Sequence, residues 1–126
     1  MEQFVSVTKD AEEERAVPTI WREKISEIVE AFKEGDFSLS REIADVSPLE
    51  VEDAEFIADS VLEYGAKLVS LPEEAWLTSV SRWMLTYWEV LIDLFVEEGR
   101  SDLVLFLQVR EEGAAYNFKV VSVHIP

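Results

Sequence analysis

The sequence predicts a single α+β domain in which two or three N-terminal helices pack on an antiparallel β-meander of three to five strands. Apolar residues recur at helical spacing in the first half of the chain, whereas long runs of alternating residues with glycine turns fill the second half. A chain of 126 residues that is 48% hydrophobic can bury one core. We expect one domain over 1–126, with a strand or arm and charged connector (1–17), a helical part (18–66) and a mainly β part (67–126).

The first predicted helix follows Pro18 and ends near Gly35, which is placed to follow the C-cap. Its apolar residues recur at i, i+4, i+7 and i+11 and so share one face: Trp21, Ile25, Ile28 and Phe32. Upstream, Phe4, Val5 and Val7 alternate weakly, which predicts a short edge strand or an arm.

The second predicted helix has a capping-box pattern at its start. Ser47 is the expected N-cap, Pro48 the first helical residue and Glu50 the capping-box partner, while Gly65 ends the helix. The expected inner stripe consists of Ala54, Ile57, Ala58, Val61 and Leu62.

The segment after this helix carries conflicting signals. We expect a strand at 67–71, a short helix near 72–80 and a long strand beginning near Arg82. Trp76, Val80, Trp83 and Tyr87 also fit helical spacing, so helix and strand both stay open for residues 76–88.

The next two strands form a predicted hairpin with Glu98 and Gly99 at its tip, in which paired residue numbers sum to 197. This register places an apolar row on the core face: Val90 opposite Leu107, Ile92 opposite Leu105, and Leu94 opposite Leu103. Glu97 and Arg100 are expected to form an exposed ion pair near the tip. The last strand is expected at 116–125.

Composition limits the classes of function. The absence of cysteine excludes disulfides, thiolate catalysis and cysteine-ligated metals. The net charge of −16 makes nucleic acid an unfavourable ligand and permits a basic protein partner. No apolar run is long enough for a membrane span and the N-terminus lacks a signal-peptide pattern, so we expect a cytoplasmic protein without a membrane partner.

Two sets of residues are candidate binding sites. The first set is the acidic face of the second helix, which is either a solvated surface or a docking face: Glu52, Asp53, Glu55 and Asp59. The second centres on Asp93, a mid-strand carboxylate, with Trp83 and Trp88 as aromatic neighbours and Arg110 as a distant partner. We expect no catalytic residue, no metal and no cofactor, because no motif for them is present.

The chain resembles a family of small bacterial domains of uncharacterised function over about residues 18–126. The pattern consists of Trp83, Trp88, Val90-Leu91, Asp93-Leu94, Glu97-Glu98-Gly99-Arg100-Ser101-Asp102-Leu103 and Val123-His124-Ile125-Pro126. In element order it is similar to nuclear transport factor 2-like proteins, which implies a curved sheet around a pocket. In size and acidity it is similar to bacterial immunity proteins, which implies a toxin as partner.

Three hypotheses of function remain open. The first is a non-enzymatic protein-binding module, including an immunity-type inhibitor of a basic toxin. The second is a small-molecule pocket protein or a carboxylate-dependent enzyme that uses Asp93 among Trp83, Trp88, Phe95 and Phe106. The third is a structural homo-oligomer, such as a homodimer, that buries the mixed face of the sheet.

Overall fold

A computed structural model describes residues 4–126, so the first three residues of the predicted arm lie outside the described part. The helices are α1 (Thr19–Lys33), α2 (Val51–Tyr64) and α3 (Ala75–Thr78), and the strands are β1 (Arg15–Ala16), β2 (Val80–Trp83), β3 (Trp88–Val96), β4 (Gly99–Glu112) and β5 (Ala115–His124). The strands form one antiparallel sheet in the order β1-β2-β3-β4-β5. The predicted α+β class, with helices before a meander, is confirmed.

The core lies between the helices and one face of the sheet. The predicted stripe of α1 is buried, and its Trp21 ring meets Trp88 of β3 edge-on at 5.2 Å and Tyr116 of β5 at 5.4 Å between ring centroids. Gly35 follows the helix at φ +86°, and its N–H bonds to the carbonyl of Phe32, which ends α1 as the sequence predicts. We call this side of the sheet the core face.

The N-terminal arm is hydrogen-bonded to the start of α1 and to β3. Val5 donates its N–H to the Thr19 hydroxyl (2.7 Å), and the Thr19 N–H bonds to the Val5 carbonyl (3.0 Å). The indole N–H of Trp88 donates to the Thr8 carbonyl at 2.8 Å. The arm therefore satisfies the polar atom of a buried tryptophan.

The predicted hairpin register is correct for most of its length and wrong at its tip. Pairs that sum to 197 run from Trp88 opposite Val109 to Asp93 opposite Val104, and the pairing then shifts so that Val96 faces Gly99. The Ser101 hydroxyl supports this shift, because it donates to the Leu94 carbonyl and accepts from the Leu103 N–H.

Two details of the tip therefore change. Glu97 and Glu98 form the turn, and Gly99 adopts a φ of +125° that favours glycine. Arg100 lies opposite Phe95, and among the described residues no ion pair joins it to Glu97, contrary to the prediction.

The predicted start of α2 is wrong because tertiary contacts displace it. The Ser47 N–H donates to the Phe118 carbonyl, and the Phe118 N–H donates to the Asp45 carbonyl, which ties this segment to β5. The helix begins only at Val51, with Glu50 as N-cap and no side-chain capping bond. Leu62, predicted to face inward, is 79% exposed.

The predicted long strand from Arg82 is also wrong. Strand β2 ends at Trp83, four residues turn back, and β3 begins at Trp88. Leu85 lies in this turn at φ +73°, and the Met84 N–H bonds to the Tyr87 carbonyl at 2.7 Å. At 67–71 the described pairing is a single bridge between Leu68 and Val96.

Candidate functional site

Helix α2 presents an acidic surface. It carries five carboxylates and no lysine or arginine, and the four predicted binding acids Glu52, Asp53, Glu55 and Asp59 are all exposed. Among the described residues, none of these acids is in an ion pair. Glu52 and Asp53 also lie in the first turn, where carboxylates stabilise the helix dipole, whereas Glu55 and Asp59 lie beyond it.

Exposed apolar side chains border the acids on α2. Val51, Phe56 and Leu62 are 70%, 63% and 79% exposed. At about 100° of rotation per residue, Val51 and Leu62 lie about 20° apart on one side of the acids, and Phe56 lies on the other side. We call this surface, with Glu52, Glu55 and Asp59 at its centre, the acidic face of α2.

An open groove runs beside the acidic face. The segment after α1 and one side of α2 form this groove of about 570 Å³, which is lined by the apolar residues Phe37, Val51, Ala54 and Ala58 and by Glu55. The groove opens to solvent, and its volume is sufficient for side chains of a bound segment.

Asp36 fixes the opposite wall of this groove. Its carboxylate accepts hydrogen bonds from the Ser40 N–H and hydroxyl, each at 2.9 Å, and from the Arg41 N–H and Nε, each at 3.2 Å. Partial burial raises the pKa of Asp36, but the bonds from Ser40 and Arg41 outweigh it and lower the pKa to about 2. Arg41 also pairs with Glu34 at 2.5 Å, so this wall is held by a charged network.

Asp93 has a structural partner. Its carboxylate accepts a hydrogen bond from the Thr78 hydroxyl, and its N–H donates to the Ser79 hydroxyl at 3.1 Å. Ser79 in turn donates to the Ala75 carbonyl at 2.7 Å. These bonds fasten the end of α3 to the middle of β3.

The structure does not bring the predicted neighbours of Asp93 together. Trp88 is buried on the core face and Trp83 packs against it at 4.5 Å between ring centroids, whereas Asp93 shares the other face with Phe106 by strand alternation. Arg110 lies six residues beyond the position opposite Asp93, about 20 Å along β4. Arg110 instead covers the Tyr87 ring at 4.9 Å.

Sequence reasoning missed the exposed apolar residues and the groove. The signal for Leu62 was present, because its angle around α2 places it away from the buried Ile57. The groove had no local signal, since it forms only where the segment after α1 folds back along α2. In the described part of the chain, no group of three or more metal-ligating side chains is found.

The fold defines a two-layer α+β domain with helices on one face of a meander. Residues 29–126 match the family described as a domain of unknown function, DUF7668, and the chain belongs to that family. This agrees with the resemblance to an uncharacterised domain family. No curated protein and no solved structure matches the chain, so the looser likenesses to nuclear transport factor 2-like and immunity proteins gain no support. None of the described helices is long and apolar enough to span a membrane.

Proposed function

We propose that this domain is a non-enzymatic protein-binding module that presents the acidic face of α2 to a basic partner. The observation that carries the proposal is the coincidence on one helix of unpaired carboxylates with three exposed apolar side chains, Val51, Phe56 and Leu62. Carboxylates alone are typical of a solvated surface, but large apolar side chains beside them gain free energy only when a partner covers them.

The arrangement fits a partner that carries lysine or arginine around an apolar centre. Glu52, Glu55 and Asp59 would meet the cations, and Phe56 would supply the buried anchor that interfaces commonly use. The net charge of −16 adds long-range attraction, which raises the association rate with a basic protein. An immunity-type inhibitor of a basic toxin is the specific form of this function that we favour.

Affinity capture from a lysate of the source organism tests the proposal. The immobilised domain should retain one basic protein at stoichiometric yield, and a rising salt gradient should release it because the charges are screened. The Phe56→Ala variant should lose the partner, while Phe4→Ala is the matched control because the two rings are 63% and 64% exposed. Retention of the partner by Phe56→Ala, or recovery of the bait alone, would count against the proposal.

A further inference from the structure

Among residues 4–126, no helical layer packs on the face of the sheet opposite the core face. We call that face the outer face. The core cluster draws its helical residues from α1, α2 and α3 and its sheet residues from the core face. Strand alternation and the register place Val80, Leu91 and Phe106 side by side on the outer face, across three neighbouring strands. All three are partly exposed.

Further apolar surface adjoins this row. Phe106 stacks on His124 with ring centroids 4.4 Å apart, and Ser122 lies opposite Phe106. The register of β5 shifts beside this pair, and Val121, the extra residue, is 46% exposed. The end of α3 reaches this face at Asp93, where Phe95 and Val104 are buried, whereas the apolar centre around Leu91 and Phe106 is partly exposed.

The charges on the outer face differ from those of the rest of the molecule. Arg82, Glu89, Gln108 and Lys119 follow one another across β2, β3, β4 and β5, and Arg110 lies in the next row. No ion pair engages Arg82, Arg110 or Lys119 among the described residues. Strand alternation also places Arg100 and three further carboxylates, Asp93, Asp102 and Glu112, on this face. Its four cations and four carboxylates are therefore equal in number, in a chain whose net charge is −16.

This distribution of charge determines which surfaces of two copies can meet with the least electrostatic repulsion. Two copies of so acidic a chain repel each other through their helical sides, where no carboxylate of α2 is in an ion pair among the described residues. The outer face lacks this excess of negative charge, and it presents both signs around an apolar centre. A strongly basic or strongly acidic partner would meet as many like charges as opposite charges on this face. A second copy presents the same balanced charges and the same apolar centre, so cations of one copy can meet carboxylates such as Glu89 of the other.

We propose that a second copy of this chain packs on the outer face, so that two sheets meet face to face in a homodimer. The apolar rows around Leu91 and Phe106 would cover each other, as inner faces of packed sheets do. The inference does not rest on the proposed function, because the outer face and the acidic face of α2 share no residue. Both copies of α2 would stay accessible in the dimer.

Sedimentation equilibrium of the full chain over about 1 to 500 µM tests the proposal. The expected mass is about 29 kDa, twice the 14.4 kDa of one chain, with dissociation at low concentration. Phe106→Lys should raise the dimer dissociation constant at least about 30-fold, the effect of removing an interface anchor. Val51→Lys on α2 is the matched control and should leave the dimer unchanged.

Several outcomes would overturn the proposal. They are a monomer mass at every concentration, a dimer that survives Phe106→Lys, a dimer lost in Val51→Lys, or an acidic protein held by the outer face of a monomeric chain. If Phe106→Lys fails to fold, Val121→Lys replaces it, because that side chain is already 46% exposed. Its folding is checked by circular dichroism, and it should also weaken the dimer. Loss of partner capture with an intact dimer would affect the proposed function alone.

Discussion

Thr78 donates a hydrogen bond from its hydroxyl to the carboxylate of Asp93, which ties the last residue of α3 to the middle of β3. A mid-strand carboxylate is costly to bury without a partner, and this hydroxyl supplies one. Asp93 thus has a structural role in the fold, and the acidic face of α2 is the candidate binding site.

The Thr78–Asp93 bond should contribute measurably to stability. We expect Thr78→Val and Asp93→Ala each to lower the free energy of unfolding by about 1 kcal/mol, and the double variant to lose clearly less than the sum. Urea denaturation measures all three, with Glu89→Gln as a control on the same strand. Fully additive losses would mean that the bond contributes nothing.

Asp36 should make stability depend on acid pH. Its pKa falls from 3.8 to about 2 on folding, so its contribution is present above about pH 4 and is lost as the pH falls towards 2. After allowance for solvent screening we expect Asp36→Asn to cost about 1 kcal/mol at pH 7 and to cost clearly less near pH 2, where the carboxylate is about half protonated. Urea denaturation across this range measures the difference, with Asp59→Asn as an exposed control. A cost that is independent of pH would contradict the prediction.

Leu85 should be replaceable by glycine with a gain in stability. It holds φ at +73° while 73% exposed, so its side chain gains little burial for an unfavourable backbone conformation. We expect Leu85→Gly to raise the free energy of unfolding by about 0.5 to 1 kcal/mol. Leu62, an exposed residue within α2, is the control: Leu62→Gly should lower the free energy of unfolding by about 1 kcal/mol, because glycine is unfavourable inside a helix. Thermal or urea denaturation of the two variants measures both changes, and a loss of stability in Leu85→Gly would contradict the prediction.

Two adjacent residues of β3 should differ sharply in how much free energy of unfolding is lost when each is replaced by alanine. Ile92 is fully buried on the core face, and Leu91 is partly exposed on the outer face. We expect Ile92→Ala to cost about 3 kcal/mol and Leu91→Ala to cost about 1 kcal/mol or less in the monomer. Denaturation at low protein concentration measures both. Similar costs would contradict the assignment of the two faces.

The elements with a strong periodic pattern of apolar residues could be predicted from the sequence. The apolar stripe of α1 and the apolar row shared by β3 and β4 were predictable, because any other helix rotation or strand register would expose these apolar side chains to water. The register failed at the tip because the hydroxyl of Ser101 replaces bonds of the ladder, and side-chain substitution of this kind has no periodic signal.

The remaining errors arose where distant residues override local preference. Ser47 and Pro48 make a good helix start, but backbone pairing of Ser47 with Phe118 across the fold holds this segment extended. The acids of α2 were predicted to be exposed and are exposed, whereas the groove beside them depends on how the segment around Asp36 returns to α2.

The most direct test of the central claim compares two charge reversals of equal size. The variant Glu52→Lys, Glu55→Lys, Asp59→Lys reverses the acidic face of α2, and Glu12→Lys, Glu13→Lys, Glu14→Lys reverses exposed acids of the N-terminal connector. Both change the net charge equally, so binding of the captured partner, measured by calorimetry at about 0.15 M salt, isolates the contribution of position. We predict at least about 10-fold weaker binding for the α2 variant than for the connector variant. Equal affinity of the two variants would contradict a binding site on α2.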